Sequence, residues 1–159
     1  MIQFQLLLLI GIANGAPILA ENVLQNRCNQ PVDFNVTFID GRRLLGGSKT
    51  IRGIVAALVA ATAGALIMGL PAALGPLIGF GAMSGDLLSS FVKRRLGVPA
   101  SGMALGLDQI PEVALPLLIV RSSCGLEWED ILKLTILFLV FELFISRILF
   151  RLRIRKQPY

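Results

Sequence analysis

Hydrophobic and polar positions alternate along this chain in long blocks. Apolar runs cover about residues 1–20, 54–70, 72–92, 104–120 and 131–150, and polar segments divide them. A helix of ~20 apolar residues spans the hydrocarbon core of a bilayer, so the pattern predicts five transmembrane helices. Pro71 separates the second run from the third. The fourth is short unless it begins near Ala104, and Pro111 and Pro116 blur its start. The first run reads as a retained helix rather than a signal peptide. It has no positive leading region, and Asn14-Gly15-Ala16-Pro17 interrupts it. The expected architecture is all-α, a single integral membrane domain over 1–159 with two polar loops, 21–53 and 93–109, forming the site. Within the first loop, Val36 to Ile39 suits a short extended segment before an Asp40-Gly41 turn. Gly75, Gly79 and Met83 share a face with Asp86, with Gly64 on the preceding helix, a pattern that lets helices approach closely.

Composition and charge sharpen this picture. The chain is 55% hydrophobic and 16% charged over 159 residues, outside the range of ordinary soluble domains. Its net charge of +5 is distributed unevenly. With five spans, all Lys and Arg except Arg121 and Lys133 fall on one side, in the two loops and the tail from Arg147 to Lys156. By the positive-inside rule that side is cytoplasmic, which places the N-terminus outside and the C-terminus in the cytoplasm of a cell-membrane protein. The asymmetry accounts for the basic charge without a nucleic-acid partner. There is no histidine, which excludes Ser-His-Asp triads, imidazole bases and His-ligated metals. Oxygen ligands remain, and they favour a hard cation such as Mg²⁺. Cys28 and Cys124 fall on opposite sides of the membrane and are expected as unpaired thiols.

The candidate chemistry gathers at the cytoplasmic face. Asp86, Ser90 and Lys93 stand at i, i+4 and i+7 on one helix face, with Ser89 beside them. An intramembrane carboxylate is costly and points to function; the competing reading is a helix end with snorkelling Lys93, Arg94 and Arg95. In the first loop, Gly46-Gly47-Ser48-Lys49-Thr50 offers backbone N–H groups and a cation to phosphates, but lacks the upstream glycine of a P-loop. Asp108 is equally suited as a helix N-cap or a ligand, and Glu112 follows at i+4. Asn14 suits an interhelical hydrogen bond, and Glu142 suits a structural pairing with a base such as Arg147. Without a nucleophile–base pair, metal-assisted phosphoryl or nucleotidyl transfer fits these groups best, because a lipid phosphate is already an anionic nucleophile.

The blocks Asn14-Gly15-Ala16-Pro17, Asp40-Gly41-Arg42 with Gly46, Lys49-Thr50 and Arg52-Gly53, then Gly85-Asp86 with Ser89, Phe91 and Lys93-Arg94-Arg95-Leu96-Gly97, and finally Asp108-Gln109 are similar in order and spacing to the CDP-archaeol synthase family, a relative of the CDP-diacylglycerol synthases. The resemblance covers most of residues 14–112. It implies a five-helix enzyme that transfers CMP from CTP to a lipid phosphate with Mg²⁺, releasing pyrophosphate. On that resemblance, Asp86, Lys93 and Asp108 are catalytic candidates, with Asp86 and Asp108, joined by Glu112, as metal ligands. Lys49, Thr50, Arg52, Ser89, Ser90, Arg94 and Arg95 are nucleotide or phosphate contacts, with Asn14 and Asp40 as nearby polar groups. The chain departs from the family where a second acid is usual, since Pro111 stands there with Glu112 next to it. It also departs in its basic C-terminal segment, Ser146 to Tyr159. A CDP-alcohol phosphotransferase is excluded, because Asp40-Gly41-Arg42-Arg43 lacks that family's alanine and its further aspartates. The alternative from another class is a non-enzymatic transporter or scaffold with basic cytoplasmic loops.

Overall fold

The computed structural model describes residues 2–25, 27–99, 102, 104 and 106–151, with side chains as far as residue 144. The basic tail beyond Arg151 and the side chain of Arg147 therefore lie outside the described residues. Five helices follow one another: α1 Ile2–Leu24, α2 Ile51–Ile67, α3 Leu74–Arg95, α4 Gln109–Cys124 and α5 Trp128–Arg151. α1 is long and apolar enough to cross a bilayer on its own, whereas α2 is equally apolar but shorter.

Local chemistry sets the boundaries. α2 starts at Ile51, earlier than the apolar run, because Thr50 caps it by accepting from the Gly53 N–H at 3.2 Å. It stops at Ile67, where Gly69 takes φ 69° and lets the Leu70 N–H close on the Ala65 carbonyl. α3 ends in the same way: Gly97 at φ 77° lets the Val98 N–H reach the Lys93 carbonyl. Both are Schellman closures, which need a residue with positive φ. α4 begins only at Gln109 and accommodates Pro111 in its first turn, where a missing N–H costs nothing.

α3 is the central helix and packs against α1, α2 and α4. Two pairs of glycines at i, i+4 allow this. A Cβ on Gly79 would lie 3.1 Å from the Leu58 Cα, and one on Gly75 would overlap the α2 backbone at Thr62. On another face, Cβ atoms on Gly81 and Gly85 would strike the α4 backbone at Pro116 and at Pro111–Glu112. Gly75 and Gly79 thus serve α2 packing, and the α4 contact rests on a second glycine pair. Ala13, Ala57, Ala61, Ala82 and Met83 form a thin layer between α1, α2 and α3. A thicker apolar core of Leu6, Leu9 and Ile10 with Val113, Leu117 and Val120 extends to Ile131 and Leu134 of α5.

The first polar loop is folded as well. Thr37 bridges Arg43 around a tight turn at Asp40-Gly41, with Gly41 at φ 73°. Asp33 anchors it from within. Its buried carboxylate accepts from the N–H groups of Asn35, Leu45 and Gly46 and from Arg43 Nη2 at 2.6 Å. Burial pushes the Asp33 carboxyl up, but the Arg43 guanidinium and the three N–H groups outweigh it and bring it down to about 2 from 3.8. A depressed folded pKa gives stability that is complete above pH 4 and is lost as pH falls through about 2. Asp33→Ala should remove that contribution at neutral pH, on the order of 2 kcal/mol. Limited proteolysis should then cut the 33–46 segment at least tenfold faster in the variant. An unchanged rate would contradict the anchoring role.

Candidate active site

Where the first loop meets the bundle lies a cavity of about 380 Å³. α1 contributes Asn14, Pro17, Ile18 and Glu21; the loop and the start of α2 contribute Asn29, Ser48, Lys49, Thr50 and Arg52. α3 supplies Met83, Asp86 and Lys93, and Asp108, Gln109, Glu112 and Glu142 close it.

Asp86 lies about two and a half turns before the end of α3 and is half-buried. Lys49 Nζ donates to both of its carboxylate oxygens, at 2.5 and 2.6 Å. Glu112 stands within hydrogen-bonding reach of Asp86, with Lys49 and Glu142 close by. Gly85 creates this pairing, since α4 approaches α3 at Pro111–Glu112 only where α3 lacks a Cβ. Pro111 rests its backbone on Gly85, while the next residue brings its carboxyl beside Asp86.

Asp108 has other partners. It accepts from Lys93 at 2.7 Å and from the Ala104 N–H at 3.1 Å, and its side chain makes no capping bond to α4. Gln109 accepts from the Gly106 N–H at 2.8 Å, so Asp108 and Gln109 tie the backbone at Ala104 and Gly106 to the start of α4.

The basic end of α3 fans outward because successive helical residues point ~100° apart. Lys93 faces the cavity. Arg94 is buried and donates to the Pro99 carbonyl at 2.8 Å. Arg95 donates to Asp40 at 2.9 Å and to the Arg43 carbonyl at 2.7 Å, and stacks on Phe38 and Phe91. Arg42 completes this tie by donating to the carbonyls of Arg94 and Arg95. Arg52 lines the cavity but donates to the carbonyls of Gln25 and Arg27, both at 2.7 Å, which closes the C-terminal end of α1.

Of the residues singled out by sequence, the cavity therefore gathers Asn14, Lys49, Thr50, Arg52, Asp86, Lys93, Asp108 and Glu112. Asp40, Ser89, Ser90, Arg94 and Arg95 do not line it. Ser89 shares the expected helix side, but its hydroxyl donates back to the Gly85 carbonyl at 2.9 Å, as helical serines commonly do. Ser90 is buried in the packing. Asn14 makes no interhelical bond: both atoms of its amide are buried without a protein partner among the described residues. Glu142 lines the cavity near Glu112. Glu21 and Asn29 were not singled out, since an exposed acid and a loop amide carry no periodic or spacing signal. Cys28 and Cys124 are free thiols, as expected.

The cavity is polar and lies among five helices, of which α1 is long and apolar enough to cross a bilayer, and comparison with known proteins gives the class. Residues 6–159 match the CarS-like CDP-archaeol synthase family model. The CDP-archaeol synthase of Saccharolobus islandicus (strain L.S.2.15 / Lassen #1) is 36% identical over 135 residues, 81% of each chain. That of Sulfurisphaera tokodaii is 30% identical over 157 residues, 93% of this chain and 89% of its own. That of Aeropyrum pernix is 39% identical over 123 residues, 74% of this chain and 67% of its own. A solved structure described as an intramembrane enzyme for archaeal membrane lipids biosynthesis superposes with a TM-score of 0.76 at 35% identity, covering 89% of this chain and 90% of that one. The chain belongs to the CDP-archaeol synthase family. It is an all-α membrane enzyme, as the sequence blocks implied, and the non-enzymatic alternative falls.

Proposed function

We propose that this enzyme transfers CMP from CTP to the phosphate of an archaeal-type dialkylglycerol phosphate, with Mg²⁺, giving a CDP-lipid and pyrophosphate. The observation that carries the reading is the contact between Asp86 and Glu112 in a cavity also entered by Lys49 and Lys93. Two carboxyls within hydrogen-bonding reach of each other, with the unpartnered amide of Asn14 in the same cavity wall, supply oxygen donors. No group of three acidic or thiol side chains among the described residues forms a complete metal cage. One or two carboxylates completed by substrate phosphates is the usual manner in which Mg²⁺ is held, so the residues present fit the ion. Asp86 and Glu112 would hold it, with Asp108 taking part if Lys93 turns to the substrate. Bound there, the ion would supply charge neutralisation at the phosphates.

A phosphate oxygen of the lipid attacks the α-phosphorus of CTP, forming the new P–O bond. The bond to the β-phosphate breaks and its electron pair leaves with pyrophosphate. The nucleophile is already ionised, so no histidine base is required. Lys49 and Lys93 balance the growing negative charge, and each exchanges its carboxylate partner for a phosphate as substrate enters. The chain has no histidine to activate the cavity's Ser48 or Thr50 as a nucleophile, and the reading is a direct in-line transfer.

The charge asymmetry supports a cytoplasmic position for the 21–53 and 93–109 loops, where CTP is available. Proteolysis of membrane vesicles tests both points together. The 40–53 segment should be cut only in inside-out vesicles, and CTP with Mg²⁺ should slow that cut at least fivefold while ATP does not. Cutting from the outside would overturn the orientation. Lack of protection by CTP would overturn the nucleotide site.

A further inference from the structure

Residues 34–42 do not line the cavity. They form a hairpin: the Leu44 N–H donates to the Val36 carbonyl at 3.0 Å and the Phe38 N–H to the Arg42 carbonyl at 2.7 Å, around a turn in which Gly41 takes positive φ. For a polar loop its side chains are unusual. Phe34 is 61% exposed, Val36 54%, and Ile39, at the tip, 95%. Large apolar side chains gathered in the open on one short hairpin mark a contact surface.

The level of the hairpin says what it contacts. Phe38 meets Phe91 edge to face with ring centroids 5.5 Å apart, and the Arg95 guanidinium lies 4.6 Å from the first ring and 5.1 Å from the second. Phe91 stands one turn before the end of α3, ~6 Å along its axis, and helical side chains lean toward the N-terminus, so its ring lies deeper still. α3 has 22 residues and is about 33 Å long, against ~30 Å for the hydrocarbon core. The Phe38–Phe91 contact therefore sits at the edge of the hydrocarbon, and the hairpin lies alongside the helix end rather than out in water. Leu88, one turn before Phe91, and Leu96, just past the helix end, are exposed as well. The charge matches. Arg95 is paired with Asp40, but Arg42 has no carboxylate partner among the described residues; it donates to the carbonyls of Arg94 and Arg95 and stays exposed.

We propose that the 34–42 hairpin is a membrane anchor, which sinks Phe34, Val36 and Ile39 into the leaflet that meets the C-terminal end of α3 and sets Arg42 at the lipid phosphates. Apolar side chains flanked by arginine at this depth suit that boundary. A soluble partner would have to enter the headgroup layer to reach them. The return arm runs through Gly46, held by Asp33, to Lys49 in the cavity, so the anchor also fixes the height at which Lys49 meets Asp86.

Depth-resolved quenching tests this. The chain's one tryptophan is removed by Trp128→Phe, and a new one is placed by Ile39→Trp, or by Val59→Trp as a deep reference on an exposed position in the middle of α2. Each full chain is reconstituted, one copy per nanodisc, in phosphatidylcholine and phosphatidylglycerol carrying bromine either near the headgroup or near the bilayer centre. Emission from position 39 should be quenched at least threefold more by the shallow bromine than by the deep one, with the reverse order at position 59. Iodide in the water should quench position 39 at least fivefold less than free tryptophan. Adding Phe34→Asp and Val36→Asp should cut the lipid quenching at least twofold. Full iodide quenching with no effect of brominated lipid would put the tip in water and overturn the proposal. Protection from iodide without lipid quenching would mean that protein covers the patch, and would overturn it equally. Lipid quenching unmoved by the two aspartates would overturn the insertion of Phe34 and Val36.

Discussion

Asp86→Asn is expected to lower CMP transfer by at least about 10³-fold while leaving the protein folded. The substitution keeps the shape of the side chain and removes one charge. In the resting site that charge receives both short hydrogen bonds from Lys49. During turnover it would be one of two carboxylates holding the metal, and losing a principal electrostatic contact in a water-poor site costs 10²–10³-fold or more. Helical content and thermal unfolding should change little, because α3 is packed by its glycines and not by this pair. The contrast is Asp40→Asn. Asp40 lies outside the cavity, on a loop tip, paired with Arg95 at 2.9 Å with 36% of its side chain exposed. Exposed pairs contribute about 0–1 kcal/mol, so transfer should drop less than tenfold. Equal losses in the two variants would mean that the cavity is not where the reaction occurs.

Gly85→Ala should be nearly as damaging, by a different route. A Cβ there would overlap the Pro111 carbonyl group and the Glu112 nitrogen, all rigid backbone. α4 has to retreat, and overpacking of this kind costs about 1–3 kcal/mol of stability. The functional loss should be larger than the stability loss. Glu112 is carried by the displaced backbone, and a misplacement of ~1 Å can cost about 10²-fold in rate. Gly11→Ala is the control. Nothing lies within 4 Å of its added methyl group, and alanine favours the helix, so stability and transfer should hold or improve. Thermal unfolding and transfer rates measured on the two variants decide the matter. A fully active Gly85→Ala would show that the Asp86–Glu112 contact is not required.

The five helices were legible because the apolar runs are separated by interruptions that carry prolines, glycines or charges; the short fourth run hid the start of α4 at Gln109. Asp86 was legible for the same reason, since a carboxylate two turns inside an apolar run has few purely structural explanations. The helix ends were less so. Lys93, Arg94 and Arg95 look like a solvated terminus, yet the helix continues through them because each finds a separate partner. Asp33 left no mark in the sequence. It is one more polar residue in a polar loop, and its importance comes from backbone N–H groups up to thirteen positions away folding around it. Gly81 and Gly85 form a pair at i, i+4 that is visible in the sequence. Which neighbour such a pair faces depends on the packing of all the helices together, so its role in placing Glu112 emerged only in three dimensions. Ser89 and Ser90 illustrate the reverse. Their spacing beside Asp86 suggested site hydroxyls, and the helix itself took one of them up.

Transfer of CMP to a lipid phosphate is measured directly by following the label. Purified protein in detergent micelles with Mg²⁺ and CTP radiolabelled at the α-phosphate would be offered a digeranylgeranylglycerol phosphate and, in parallel, phosphatidic acid. Label should enter the organic phase with the dialkylglycerol phosphate and pyrophosphate should be released in equal amount, and Asp86→Asn should do neither. Folded protein that moves no label to either lipid, with CTP and Mg²⁺ present, would contradict the transfer.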